Sequence, residues 1–461
     1  MSTRQDGASA PSVRSRDDLI AWIAAGSKPA HAWRIGTEHE KFLFYTDTLR
    51  PVPYEGPRGV RALMEGLIAR FGWEPILEGQ NIIALKRPES EGELSGTVSL
   101  EPGGQFELSG APLKTVHEIG AETQEHLDQV LAAGGPLRIG FLGVGFSPNW
   151  TLDETPRMPK QRYQVMTRYM PMVGKRGLDM MYRTATIQVN LDFADEADMV
   201  KKFRVSLALQ PVVTAIFACS PFTEGRPNGF LSMRSEVWRD TDRARTGMLP
   251  FVFEPGMSFA RYVDYALNVP MYFVYRGGRY IDVAGASFRD FLAGRLPQLP
   301  GEFPTEDDWS DHLTTLFPEV RVKGVVELRA ADSGDAAHAK ALVAFWKGIF
   351  YDAGARERAW DLVRGLSVPE RRALMSAAGR EGLAARLPDG RTLAEVAREL
   401  VEAAAEGLCR QHCCGQRGQD ERVWLEPLRA RAESGRSPAD EALDAFRRGG
   451  DAALREHLRV A

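Results

Sequence analysis

Arg34-Ile35-Gly36-Thr37-Glu38-His39-Glu40-Lys41-Phe42-Leu43-Phe44 reads as a β-strand that carries two carboxylates on one face. Side chains alternate across a strand, so Glu38 and Glu40 point the same way as Phe42, while Ile35 and Leu43 point the other way. Two like charges about 5 Å apart repel by about 3 kcal/mol at an effective dielectric of 20. A fold that keeps such a pair together does so for a proton or a cation.

Three later segments repeat the device. Around Pro102-Gly103-Gly104, which must be a turn or bulge, Val98, Leu100, Phe106 and Leu108 alternate with Ser99, Glu101, Gln105 and Glu107. From Arg183 to Phe193, Ala185, Ile187, Val189 and Leu191 share one face, and Thr184, Thr186, Gln188, Asn190 and Asp192 share the other. From Val320 to Arg329, read as one strand, Val322, Val326 and Leu328 oppose Lys323, Glu327 and Arg329. Any one of these alone is an ordinary antiparallel strand with a solvated outer face. Together the polar faces are short of Lys and rich in Glu, Gln, Asn and Thr, the oxygen donors that hard cations take. The fold class expected is α+β: one concave, mostly antiparallel sheet, with helices over its apolar back.

Composition narrows the function. At 461 residues, 44% hydrophobic and 26% charged, the chain can bury one large core, and a net charge of -4 argues against nucleic acid as a partner. No apolar run approaches the ~20 residues that span a bilayer. Residues 1–16 lack an apolar core and read as a disordered tail rather than a signal peptide, which gives a cytoplasmic expectation. Cys219 sits in an apolar run, and Cys409, Cys413 and Cys414 beside His412 lack the paired spacing of a zinc site, so free thiols are expected.

Along the chain, Ser15 and Thr115 open capping boxes ahead of helices, the second running to about Leu131, and Gly59 to Phe71 reads as another helix. Gly140, Gly143 and Gly145 lie within a buried strand read as Leu137 to Phe146, but in the order G-x-x-G-x-G, reversed from the dinucleotide fingerprint, and no P-loop occurs anywhere. A helix from Asp195 should break at Pro211 and resume to Ala218. Gly225 to Pro250 reads as a loop whose Arg226, Arg234, Arg239, Arg243 and Arg245 suit either solvent or a lid over anionic substrate. Gly277-Gly278 turns a hairpin, and residues 337–461 are mostly helical. Residues 17–461 are expected to form one catalytic domain, with this helical part packed on the sheet.

Three chemistries fit the acidic faces. Glu38, Glu40, Glu101, Glu107 and Glu327 hold divalent cations that carry ATP phosphates, or two of them form a glycosidase pair, or the cup is a non-catalytic metal-dependent binding module. At about 3 kcal/mol per close pair, one proton cannot relieve five carboxylates, so the cation reading prevails.

Trp33 to Phe42, Ser99 to Pro112, Phe259 to Ala266 and His312 to Val320 resemble the plant and proteobacterial type of glutamate-cysteine ligase. The resemblance runs from about residue 16 to the end. It implies a glutamine synthetase-like fold and the first step of glutathione synthesis, in which ATP, L-glutamate and L-cysteine give γ-glutamylcysteine through a γ-glutamyl phosphate. Carried over by position, Glu38, Glu40, Glu101, Glu107 and Glu327 are Mg²⁺ ligands, directly or through water, with Mn²⁺ as a substitute. Arg329, with Glu327, is catalytic and neutralises the transferring phosphoryl group. Arg234 takes the glutamate α-carboxylate, and Gln188 and Asn190 contact substrate. The implied partners are these small molecules alone, with no nucleic acid or membrane, for a monomer or homodimer. A related ligase with another amine acceptor stays open. Plant members carry a redox-regulating disulfide, and the matching positions here are Val283 and Gln298, so that switch is absent.

Overall fold

A computed structural model describes residues 10–88, 96–415 and 418–460 of the chain. Its centre is an antiparallel sheet of nine strands. In chain order these are β1 (Ile35–Tyr45), β2 (Glu74–Glu78), β3 (Asn81–Lys86), β4 (Thr97–Leu100), β5 (Phe106–Ser109), β6 (Ile139–Leu142), β7 (Ile187–Leu191), β8 (Val320–Val322) and β9 (Val326–Leu328). Across the sheet they run β8-β9-β7-β1-β5-β4-β3-β2, with β6 also paired to β1. The eleven residues of β1 therefore serve three partners: β7 along Ile35 to His39, β5 along Glu38 to Lys41, and β6 along Phe42 to Tyr45.

The apolar halves of the alternating segments form the sheet's back. Ile187, Val189 and Leu191 pack with Val322, Val326 and Leu328 against Leu209 and Val213 of helix Glu196–Ile216 and Leu342 and Trp346 of helix Ala336–Phe350. Val98, Leu100, Phe106 and Leu108 pack on Leu63 and Leu67 of helix Val60–Phe71 and on Leu127 and Val130 of helix Val116–Gly134. Each such side chain contributes about 1.5–3 kcal/mol on burial, so the alternation fixes which face turns inward. Ser15 and Thr115 each accept a hydrogen bond from the amide three residues on, and both capping boxes close. Among the described residues no helix is long and apolar enough to cross a membrane.

Four expectations change. Val320 to Arg329 is not one strand but the hairpin β8–β9, turned at Gly324 with φ +77°, which sets Arg321 opposite Glu327. Helix Glu196–Ile216 runs through Pro211 without a break. Every residue from Val205 to Ile216 is buried, and that packing outweighs the one amide hydrogen bond proline lacks. Gly225 to Pro250 is not loop throughout: it holds helix Met233–Trp238, and two of its arginines, Arg234 and Arg245, are buried. Arg245 is fully buried, donates from Nε to Asp242 Oδ2 at 2.7 Å and lies 3.8 Å over the Tyr272 ring. In the expected N-terminal tail, residues 1–9 lie outside the described residues, whereas Val13 is buried and Ser12 bridges Thr305, so the ordered chain begins before Arg16.

Candidate active site

The polar face of the sheet is the floor of a cavity of about 120 Å³. Glu38 and Glu40 of β1, Ser99 of β4, Glu107 of β5 and Gln188 of β7 line it, and the β4–β5 turn adds Glu101 and Gln105. Strand register makes these neighbours: Glu40 pairs with Glu107, Ser99 with Glu107, and Glu38 with Gln188. Gly104, with φ +83°, allows the turn that folds Glu101 back over the floor. The roof comes from helices: Arg162, Tyr163 and Met166 from Gln161–Val173, Met180 and Met181 from Gly177–Arg183, and Arg234 and Trp238 from Met233–Trp238. Arg321 and Arg329 close one wall.

The floor holds charge that its own partners do not neutralise. Burial, reinforced by Glu107 and Glu101, pushes the Glu40 carboxyl well above its ordinary range, although Arg234 and the Thr186 amide pull it down. Burial with the charges of Glu38 and Glu101 pushes Glu107 up to about 7. Directly behind the floor, Lys41 is fully buried and donates to the His39 carbonyl at 2.8 Å. Burial lowers that ammonium to about 7 against the pull of Glu107 and Glu40. Carboxylates in this condition take up a proton or a cation. Among the described residues no three acidic, histidine or cysteine groups already converge as a metal shell. The fit of a hard cation rests instead on the donor set: four carboxylates with hydroxyl and amide oxygens in one buried cavity.

Glu327 stands apart from the other glutamates. It is fully buried, does not line the cavity, and receives Arg321 through Nη2 at 2.8 Å and through Nε. Arg329 Nη1 reaches it at 3.2 Å and Lys323 at 3.5 Å. Burial alone would raise its pKa, but Arg321, Lys323 and Arg329 outweigh that and hold it well below the usual range. In this arrangement Glu327, expected as a metal ligand, has its oxygens engaged by Arg321 and Arg329. Arg329 donates to Gln188 as well as Glu327, so its guanidinium lies over the floor beside β7. Arg234 lines the cavity, donates to the carbonyls of Arg329 at 2.8 Å and Ala330 at 3.3 Å, and leaves its buried Nε without a partner. Asn190 lies outside the cavity and donates to Glu38 at 3.1 Å, so it orients that carboxylate.

Two groups of site residues were not found from sequence. Arg162 and Tyr163 sit on a helix over the cup, and Tyr163 donates to the Leu100 carbonyl at 2.8 Å. Only tertiary topology brings that helix there. Arg321 had a local signal, since a glycine in Lys323-Gly324-Val325 marks a hairpin turn that puts its two strands face to face.

The antiparallel sheet thus carries an acid-lined cup on one face, with arginines along its wall. The sequence profile described as Glutamate-cysteine ligase family 2 matches residues 34–458, and the chain belongs to that family. It is 50% identical over 442 residues to the chloroplastic glutamate-cysteine ligase of Nicotiana tabacum, covering 96% of this chain and 82% of the relative. With the chloroplastic enzyme of Arabidopsis thaliana it shares 50% identity over 432 residues, 94% of this chain and 80% of that one. The crystal structure of the Francisella tularensis glutamate-cysteine ligase in complex with AMP superposes with a TM-score of 0.51 at 12% identity, over 92% of this chain and 86% of that one, and shows the shared fold. The plant relatives overturn the cytoplasmic expectation, because they are named chloroplastic. An apolar leader marks secretion, whereas plastid leaders are polar and rich in Ser and Arg.

Proposed function

We propose that the cup joins the γ-carboxylate of L-glutamate to the amine of L-cysteine with ATP, giving γ-glutamylcysteine, ADP and phosphate. The γ-carboxylate oxygen attacks the terminal phosphorus and ADP leaves; the cysteine amine then attacks the acyl carbon and phosphate leaves with one proton lost. The observation that carries this reading is the set of four carboxylates, Glu40 and Glu107 buried among them, that shares one cavity with arginines, and family membership supports it. Glu38, Glu40, Glu101 and Glu107 would hold Mg²⁺ ions, which supply charge neutralisation to the ATP phosphates. Arg329, steadied by Glu327 and Gln188, meets the oxygens of the transferring phosphoryl group, since a guanidinium forks onto two of them. Arg234 offers its unpartnered Nε to the substrate α-carboxylate.

We read residues 17–461 as one catalytic unit, with the helical part behind the sheet included. The test is ADP release by the full chain with ATP, Mg²⁺, glutamate and a panel of amines, with the product identified by mass spectrometry. Cysteine as preferred acceptor is the expected result. Preference for another amine would reassign the enzyme within its class, and no ADP release with any amine would remove catalysis altogether.

A further inference from the structure

A second chamber, of about 620 Å³, lies beyond the roof of the cup. Four arginines line it, Arg239, Arg243, Arg371 and Arg372, against one carboxylate, Glu319. A cleft of about 40 Å³ joins the two: Arg234, Trp238 and Arg329 belong to both cup and cleft, and Trp238, Glu319 and Met375 to both cleft and chamber.

The chamber's positive charge is largely uncompensated. Arg239 pairs with Glu236 at 2.9 Å and donates to Ser376 at 2.7 Å. Among the described residues, Arg243, Arg371 and Arg372 make no ion pair with a carboxylate. Arg371 is the telling one. It is 3% exposed, its Nη2 donates to the Val363 carbonyl at 2.8 Å, and its Nε and Nη1 have no partner. Its guanidinium carbon lies 4.4 Å over the Phe253 ring. A buried guanidinium with idle donors is costly unless something comes to meet it. Arginine forks match carboxylate and phosphate oxygens alike. The rest of the lining separates the two: Met248, Phe251 and Met375 give an apolar wall suited to an organic side chain, and Glu319 suits an ammonium group. Burial pushes Glu319 up to about 7 against the pull of Arg372, so its carboxyl also lacks a full counter-charge.

We propose that this chamber is a binding site for a small zwitterionic carboxylate, an amino acid or short peptide, with its carboxylate on Arg371 and Arg372 and its ammonium on Glu319. The Glu319 carbonyl accepts the Arg329 amide at 3.3 Å, so occupancy is linked through the backbone to the arginine over the cup. The site stands whatever reaction the cup performs, because none of its four arginines lines the cup.

Equilibrium dialysis of the full chain with labelled γ-glutamylcysteine, L-glutamate and L-cysteine, each without nucleotide, tests it, with inorganic phosphate as competitor. The expected result is a binding equivalent for at least one of the three probes that Arg372→Met with Arg243→Met, both exposed positions, weakens at least tenfold, while KM for each substrate changes less than twofold. Arg371→Lys, which keeps the charge and loses the fork, weakens the same equivalent. Glu319→Gln weakens amino-acid binding but not that of N-acetylated probes. Three results would overturn the proposal: no equivalent sensitive to the arginine pair, displacement of the probe by phosphate at equal concentration, or a parallel rise in KM showing that the arginines serve the cup alone.

Discussion

Glu40 and Glu107 face each other across paired strands, buried and without a cation from their own chain close enough to settle them. A carboxyl at about 7 is largely protonated at pH 6, and a metal must displace that proton to bind. We expect Mg²⁺ to bind with proton release near pH 6, release to vanish above about pH 8, and affinity to fall as pH drops below 7; calorimetry in buffers of different ionisation enthalpy measures each. Glu327 behaves in the opposite way because its oxygens are already taken by Arg321 and Arg329. Arg321→Met removes the chief partner of a fully buried charge and should destabilise the fold by about 3–5 kcal/mol in chemical denaturation. Saturating Mg²⁺ should not restore that loss, whereas full rescue would return Glu327 to the metal shell. Parity alone sends Glu38 and Glu40 to one face, whereas Glu101 and Glu107 are separated by Pro102-Gly103-Gly104, where parity lapses and the turn at Gly104 brings Glu101 over the floor. It did not reveal the arginine beside Glu327, because Arg321 lies across a turn, and parity says nothing about what waits opposite.

At the scale of elements, the segments legible from sequence were those with one apolar face, where alternation leaves a single register. Strands β1, β4, β5 and β7 fall in this group. The β8–β9 hairpin was hidden because its apolar positions stay in phase through Lys323-Gly324, so a turn looks like a continuation. The arginine-rich segment read as a loop because its composition is loop-like, while the partners that bury Arg245, Asp242 nearby and the carbonyls of Thr315 and Pro270, converge only in the fold. The β4–β5 turn is the most exacting of these elements. A Cβ at Gly103 would collide with the Tyr182 carbonyl, and Gln105 Oε1 accepts the Gly103 amide at 2.9 Å while its Nε2 donates to Thr184 at 2.7 Å. Gly103→Ala should therefore push Glu101 and Gln105 off the cup floor and lower kcat at least tenfold in steady-state assays. A smaller loss would show that the turn relaxes without moving its side chains.

For the whole molecule, stability and metal are coupled through pH. Burial holds His39, His126 and His338 well below the ordinary imidazole range and His312 at about 4. Groups depressed on folding stabilise the protein above about 6.5, and that contribution is lost as pH falls toward their folded values, by up to about 1.4 kcal/mol per pH unit for each. Glu40 and Glu107 have the opposite sign: both are raised on folding and cost stability as pH rises above about 4.5, Glu107 through about 7. Denaturation with EDTA should thus show a shallow pH dependence, the two sets opposing one another. With saturating Mg²⁺, which replaces the glutamate protons, stability should drop steeply between pH 6.5 and 5; equal slopes in both conditions would separate the floor from metal.

The three-way pairing of β1 has one more consequence. A strand held by separate neighbours along its beginning, middle and end has no room to slide by a single residue, since every partner would lose its match at once. Folded but misaligned molecules, with the acids turned into the oil of the interior, are thereby denied a basin of their own. Recovery from denaturant should then yield native enzyme or precipitate, and the turnover per soluble milligram should stay constant however poor the yield.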